Sequence, residues 1–432
     1  MLVTAVACGS DPKAVHEAPG GSSACDGDAA WADARGLFEW AHVPTFDLHL
    51  PADEWTRLQQ NAREEEYTAA EACFEGGRIG TIGLRFKGAH GTLYNCFDET
   101  GALVCDRLSM KLKFDEFFED QRFFGLKRLN FNANRFDDSR MKERLAYDLY
   151  RAADVVAPRA SWAVVRVNGQ SLGLYGMVEQ LDGRFTADRW PENPDGNLFK
   201  EVWPTDTDEE RLVAALSTNE ETADVSGFSS FAAAVVASPE DQVLNTLGAH
   251  TDIEYWARYM AVDDAVVSYD GVTYFYTDGA GSHNHNYYFY EHSPSSFTLV
   301  PWDVESTFWI NPAHAAPHWT VIPEDCSRTY PYWEGLATAP GCDRVFRALS
   351  SHAPFRDRWR AAARQLLDGP FALDAMLANV DRHAAFIGDE ARAQETPTMY
   401  SSFDDAVGEL RRVIPELRAR LEQLIAETNQ AD

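Results

Sequence analysis

Positive charge is scarce in this chain of 432 residues: 38 Lys and Arg stand against 68 Asp and Glu, a formal charge of −30. A surface of that sign repels phosphate backbones, so nucleic acid is not an expected partner, whereas metal cations or basic groups are favoured. Long hydrophobic runs are missing too. No window approaches the ~18 consecutive apolar residues that a membrane-crossing helix needs. The chain has no CxxC pair and no Cys/His zinc spacing. It also lacks GxSxG, GxxxxGK(S/T), HExxH and a six-residue GxGxxG. Any catalysis must therefore come from scattered polar residues. General disorder is excluded as well, because 45% hydrophobic and 12% aromatic residues can fill a sizeable core.

Cysteines are few but informative. Cys8 ends the short apolar run MLVTAVAC, before Gly and Ser, which reads as the tail of a lipoprotein signal with Cys8 acylated and a membrane attachment through that lipid. Six others remain. Cys96/Cys105 and Cys326/Cys342 are spaced for local disulfide loops, and Cys25/Cys73 is left as a third pair. Disulfides imply an oxidising compartment, hence an extracytoplasmic protein.

Residues 1–35 are rich in Gly, Ser, Ala, Asp and Pro and read as a signal remnant and tether; residues 36–430 read as one folded unit. Its first part, about 36–182, is β-rich. VPTFDLHL (43–50), RIGTIGLRFKGAHG (78–91) and MKLKF (110–114) look like strands, the last with Met110, Leu112 and Phe114 on one face and Lys111 and Lys113 on the other. DDSRMKERLAYDLYRAA (137–153) predicts a helix capped by Asp138 or Ser139, with Met141, Leu145 and Leu149 in a stripe. SWAVVRVNGQSLGLYGMVEQ (161–180) predicts a hairpin turning at Asn168-Gly169. The remainder, about 183–430, reads as mainly helical. One helix starts at Ser238-Pro239 and another covers roughly 252–268 behind a Thr251/Glu254 capping box. Short strands follow at 272–277, 286–291 and 297–301, and an amphipathic last helix carries Leu410, Val413, Leu417, Leu421 and Leu424. The fold class expected is α+β, two-lobed, with a cleft.

LVPWDVESTFW (299–309) poses the sharpest question. Asp303 follows an apolar run and sits among Trp302, Phe308 and Trp309, where a carboxylate is costly unless a cation or donors meet it. Asp270 stands where a helix gives way to Gly271. SHNHNYYFY brings Asn284 and Asn286 to the start of an aromatic strand, and one more strand leads to Asp303. A carboxylate after a helix, an amide opening a strand and a second carboxylate closing the next are the groups phosphoryl transfer uses. One Asp orients and deprotonates the acceptor hydroxyl, while the amide oxygen and the other Asp hold a divalent cation on the phosphates. Mg²⁺ takes few protein ligands, all oxygen. In the β-rich part, Lys111 or Lys113 paired with Glu143 would grip phosphate, and Gly88 and Gly91 in RFKGAHG would let backbone N–H groups approach one. Local readings compete: Asp270-Gly271 as a plain turn, Asp303 as a cap or ion pair, the lysines as a solvated face.

These blocks resemble the CotH (spore-coat protein H) kinase family of atypical protein kinases. The resemblance runs from about Val43 to beyond Phe308 and rests on RFKGAHG, SMKLKF, FFGLKRLNFNANRFDDSRMKERLAYDLYR, APRASWAVVRVNGQSLGLYGMVEQLDGRF, SYDG, HNYYFY and VPWDVESTFW. It implies a kinase-like fold, ATP with Mg²⁺ or Mn²⁺, and transfer of the γ-phosphoryl group to a protein Ser/Thr hydroxyl. Asp270 would be the catalytic Asp, Asp303 the metal-binding Asp and Asn286 the metal-binding amide, with Asn284 as its substitute. Lys111 or Lys113 would be the phosphate lysine, Glu143 its partner, and Glu179 in MVEQ would lie near the segment that meets adenine. Two departures stand out. The family's WDLD or WDMD reads Trp302-Asp303-Val304-Glu305 here, and Asp270 and Asp303 are 303 − 270 = 33 residues apart, with the excess in TYFYTDGAGSH.

Three other readings use the same residues. His283 and His285, two apart, fit a transition-metal hydrolase that also uses Asp303. A non-catalytic surface adhesin of the same fold would suit an acidic, disulfide-bonded exported chain. Transfer of AMP would use the same lysine and metal.

Overall fold

A computed structural model describes Cys25 and residues 34–89, 93–278, 281–311, 314–333, 335–394 and 400–430. Cys8, Gly91 and most of the expected tether lie outside the described residues.

The short helix α1 (Ala34–Phe38) leads into a barrel built by β1 (Thr45–His49), β2 (Thr68–Phe74), β3 (Gly77–Phe86), β4 (Met110–Lys113), β5 (Arg128–Asn132), β6 (Ala160–Val167) and β7 (Gln170–Glu179). Two helices interrupt these strands: α2 (Ala52–Gln60) after β1, and α3 (Lys142–Ala152) after β5. The sheet closes in the order β1-β2-β3-β4-β5-β7-β6, sealed by parallel pairing of β1 with β6. Alternation decides what the barrel encloses. Leu84, Phe86, Met110, Leu112, Leu129 and Phe131 pack inside one core with Phe46 and Phe74. Arg85, Lys87, Lys111, Asn130 and Asn132 therefore face outward. The turn at Asn168-Gly169 has φ of 51° and 81°, the left-handed pair that a two-residue hairpin of this hand requires.

Helix α3 starts later than its sequence suggests. Asp137 serves its entry, one carboxylate oxygen accepting from Lys142 N–H at 2.8 Å and the other from Ser139 N–H at 3.0 Å; Ser139 Oγ accepts from Met141 N–H at 3.2 Å, while Asp138 accepts instead from Ser401 N–H. Its apolar face joins a second core shared with the outer side of β6 and β7 (Trp162, Leu174, Val178) and with the later helices.

Those helices are α4 (Gly183–Arg189), α5 (Glu209–Ala214), α6 (Ser226–Ala237), α7 (Val243–His250) and α8 (Ile253–Val266), followed near the C-terminus by α9 (Arg344–Ser351), α10 (Ala353–Asp368), α11 (Leu373–Arg392) and α12 (Phe403–Gln430). Ser238-Pro239 leads into a 3₁₀ turn, with α7 beginning at Val243. Asp252 caps α8, accepting from the N–H groups of Glu254 and Tyr255, while Thr251 donates back to Leu247 O. The expected capping box is replaced by this simpler cap. The five apolar positions named for the last helix are buried along α12.

Two small sheets complete the fold. β8 (Leu198–Lys200), β11 (Tyr287–Ser293) and β12 (Ser296–Pro301) form one, with β11 central. The other has the order β10-β9-β14-β13, from β9 (Phe275–Asp278), β10 (Gly281–His283), β13 (Thr329–Tyr332) and β14 (Gly335–Thr338). Residues of the TYFYTDGAGSH stretch between Asp270 and Asp303 thus form two of the four strands of this second sheet. Disulfides join Cys25–Cys73, Cys96–Cys105 and Cys326–Cys342, the three pairs the spacing suggested, and they fit an oxidising compartment. Among the described residues no helix is long and apolar enough to cross a membrane.

Candidate active site

Helix α8 ends at Val267, a β-branched residue held at φ 52°, which turns the chain sharply into Ser268-Tyr269-Asp270. Below this turn, Asp263 accepts from Tyr150 Oη at 3.1 Å and Thr273 Oγ1 at 2.8 Å, and its own carbonyl accepts from Ser268 N–H. A Cβ on Gly271 would come within 2.7 Å of Ser268 Oγ and 2.9 Å of Asp263 Oδ1, so glycine is needed here for close packing. The next residue, Asp264, is served by His318 Nε2 at 2.8 Å and by the indole N–H groups of Trp319 and Trp359 at 3.0 and 2.9 Å. Burial pushes the Asp263 carboxyl up to about 7, whereas these donors hold Asp264 below the usual carboxylate range against the same burial.

The β11–β12 register brings the other two groups in. Tyr287 pairs with Pro301, and just beyond that pair Trp302 N–H donates to Asn286 O at 3.0 Å, so Asn286 and Asp303 emerge side by side. Both have left-handed backbones, φ 61° and 49°. Asn286 Nδ2 donates to Asp270 O at 2.9 Å, which ties the third member to them, and Tyr276 Oη donates to Asp270 Oδ1. Asn286 N–H is fixed by Glu201 Oε1 at 3.0 Å. Asp303 N–H donates to Tyr147 Oη on α3 at 3.0 Å. Tyr269 N–H to Ser306 O and Phe308 N–H to Val266 O tie the two loops together. Burial first, then the Asp303 charge, raises the Asp270 carboxyl to about 6, with Tyr276 opposing.

The barrel exterior and α3 bring further charged groups near Asp303. Lys87 Nζ donates to Asn132 Oδ1 at 2.7 Å, and Asn132 Nδ2 donates to both Glu143 oxygens at 3.0 Å. Lysine and glutamate are thus joined through an amide rather than directly. Lys87 lies 5.6 Å from the Trp302 ring centroid. Burial lowers the Lys87 pKa, with Asp303, Glu143 and Glu305 opposing. Glu143 is pushed up to about 7 by burial and by Asp303. Glu305 is held well above the usual carboxylate range by burial and then by Asp303 and Glu143.

The remaining expectations fare differently. Lys111 lies on the same outer face as Lys87, between Arg85 and Asn130 in register, and makes no ion pair with a described residue. Burial, then Lys87, Arg85 and Arg128, lower it to about 7. Lys113 is corrected: its Nζ pairs with Glu116 at 2.7 Å and approaches Tyr67, so its charge is already committed. Glu179 is corrected too. Fully buried, its carboxylate is gripped by Arg159 and Arg189, which hold its pKa down despite burial and leave the side chain nothing for adenine. Gly88, at φ 128°, gives its N–H to Glu65 at 3.3 Å, not to an open cradle. Asn284 is a structural residue: it donates to Val272 O at 2.8 Å and accepts from Tyr287 Oη at 2.9 Å. His285 faces Glu201 at 3.6 Å. Lys87, Asn132 and Glu201 were not singled out from sequence. Lys87 was available in principle, because strand alternation puts it on the face of Arg85 and hence of Lys111.

Among the described residues no three His, Cys, Asp or Glu side chains stand ready to hold a metal alone. The donor set still fits a hard cation held jointly with phosphate. Asp303 and Asn286 Oδ1 accept no hydrogen bond from a described residue, and Glu305 adds a further oxygen donor nearby.

A mixed α+β chain in which a barrel-borne lysine and a helix glutamate face an Asp/Asn/Asp cluster defines an oxygen-rich, cation-favouring site. The family model described as CotH kinase protein matches residues 84–422, and the chain belongs to that family. Inner spore coat protein H of Bacillus subtilis (strain 168) is 24% identical over 206 residues, 44% of this chain and 53% of that protein, so the match spans about half of the relative's length. The structure is also similar to the Helicobacter pylori proinflammatory kinase CtkA, at TM-score 0.32 and 9% identity over 75% of this chain and 94% of that one. A chain of the Shewanella oneidensis MR-1 toxin–antitoxin complex of HipA, HipB and operator DNA gives TM-score 0.31 and 12% identity over 90% of this chain and 74% of that one.

Proposed function

We propose that this protein is an exported atypical protein kinase that transfers the ATP γ-phosphoryl group to protein serine or threonine hydroxyls with Mg²⁺ or Mn²⁺. The observation that carries the reading is the meeting of Asp270, Asn286 and Asp303 at one point, opposite the Lys87–Asn132–Glu143 relay. The barrel and the helical core are read as the two lobes that flank the nucleotide.

In this reading Asp303 and Asn286 Oδ1 hold the cation, with Glu305 beside them. When bound, the cation neutralises phosphate charge and orients the γ-phosphoryl group. Lys87, fixed by Asn132, reaches the phosphates, and Lys111 supplies a second positive charge on the same face. Asp270 accepts the proton of the acceptor hydroxyl. Its carboxyl, raised to about 6, remains a competent base at neutral pH. The disulfides support export, and lipid attachment at Cys8 rests on the sequence alone.

The test is incubation of the purified protein with γ- and α-labelled ATP in parallel, Mn²⁺ or Mg²⁺, and an added protein acceptor. Label from γ but not α on serine or threonine is the expected result. Label from α would instead identify AMP transfer, and metal-independent absence of both would favour a binding role.

A further inference from the structure

Tyr276 delivers a hydroxyl to Asp270. Its strand, β9, is held on both sides, with Tyr276 paired to His283 of β10 and to Ala337 of β14. The ring is wedged edge-on between His285 at 5.0 Å and Tyr332 at 4.8 Å, and Tyr332 in turn stacks on Tyr274 at 5.4 Å. From that frame Oη donates to Asp270 Oδ1. Among the described residues no other side-chain hydroxyl is seen donating to this carboxylate. This is the contact a general base makes with the hydroxyl it will deprotonate. A hydroxyl carried by the same rigid chain needs no encounter step, and such delivery corresponds to effective concentrations far above those of any free acceptor. The strand lies in the Asp270–Asp303 interval itself, so the base and the hydroxyl are carried by one short stretch of chain.

We propose that Tyr276 is a self-modification site, phosphorylated in cis from the chain's own bound ATP. The proposal rests on the kinase reading above. In the step, Tyr276 Oη bonds to the γ-phosphorus while the bond from that phosphorus to the β–γ bridging oxygen breaks. ADP leaves with the electron pair, and the phenolic proton passes to Asp270. The product carries a charge of roughly −1.5 to −2 beside Asp270, and like-charge repulsion drives the ring off the base. Asp270 is then open to an outside hydroxyl.

The experiment uses the full 432-residue chain with Mn²⁺ or Mg²⁺ and γ- or α-labelled ATP, followed by digestion and mass-spectrometric mapping. The expected result is one phosphate on the peptide containing Tyr276, labelled from γ only. Its first-order rate constant should stay unchanged over a roughly tenfold range of protein concentration. Tyr276→Phe, which keeps the ring and its packing, should lose that label. An Asp270→Asn chain mixed with wild type should remain unmodified at Tyr276. Phosphate on other residues or on an added protein, with Tyr276 bare, would overturn the proposal and leave the kinase reading standing. Modification of Asp270→Asn chains by wild type, or a rate that scales with concentration, would overturn the cis step. Label from α on Tyr276 would overturn phosphoryl transfer there, and no γ-label on any protein would sink both readings. The wild-type mapping does not depend on any variant folding.

Discussion

The Asp303 charge raises the cost of ionising Asp270, yet the kinase reading gives the two carboxylates separable duties. Asp270→Asn should lower kcat by about 10²–10⁴-fold, the span expected for losing a general base, while ATP affinity measured by calorimetry stays within about twofold. Asp303→Ala should instead remove metal-dependent nucleotide binding in the same calorimeter. Among the lysines, Lys87→Met should cost far more activity than Lys113→Ala, because Lys113 is already paired with Glu116 and Lys87 faces Asp303. Equal losses in a kcat/KM comparison would reverse that assignment. Asp270, Asn286 and Asp303 were legible because each stands where an element begins or ends, at positions where polar side chains need a reason. Lys87 was not, because RFKGAHG attracts attention to its glycines. The relay through Asn132 was also hidden, since no spacing rule reveals that an amide will separate a lysine from a glutamate.

Elements explain why the site residues meet. The β11–β12 register places Asn286 beside Trp302, and Asp263 supports the loop after α8. Gly271→Ala should therefore lower stability by roughly 1–3 kcal/mol, the usual cost of forcing a methyl group into a packed position, and reduce kcat as the loop shifts. Thermal unfolding and turnover measured on the same preparation check this. The Asn168-Gly169 hairpin and the last helix were plain from turn chemistry and periodicity. Of the β10-β9-β14-β13 sheet only one strand was anticipated, the one near 272–277. β10, β13 and β14 are three or four residues long, too short for alternation to stand out, and β14 reaches β9 across about 60 residues of chain.

For the whole molecule, several buried carboxyls share one sign of shift. Glu143 and Asp263 lie at about 7, and Asp270 and Asp343 at about 6, all above their ordinary values because burial disfavours charge. A raised folded-state pKa contributes stability that is complete below about pH 4 and lost as pH rises through about 6–7. Asp148 acts oppositely: His383 and Arg144 overcome burial and hold it at about 2, so its contribution disappears as pH falls below about 4. Thermal stability without divalent cation should therefore peak between about pH 4 and 6, and Mn²⁺ should raise the melting temperature more at pH 8 than at pH 5. Differential scanning across pH, with and without Mn²⁺, reads both effects. Intact mass should also rise by about six hydrogens on reduction, as three disulfides require.

The β10-β9-β14-β13 sheet draws β9 and β10 from the chain before Asn286 and β13 and β14 from the chain after Asp303, and the Cys326–Cys342 bond fastens the latter pair's flanks. It therefore bridges the two ends of the segment that carries Asn286 and Asp303. A displacement of that panel would be felt by Asn286 and Asp303 from both directions at once.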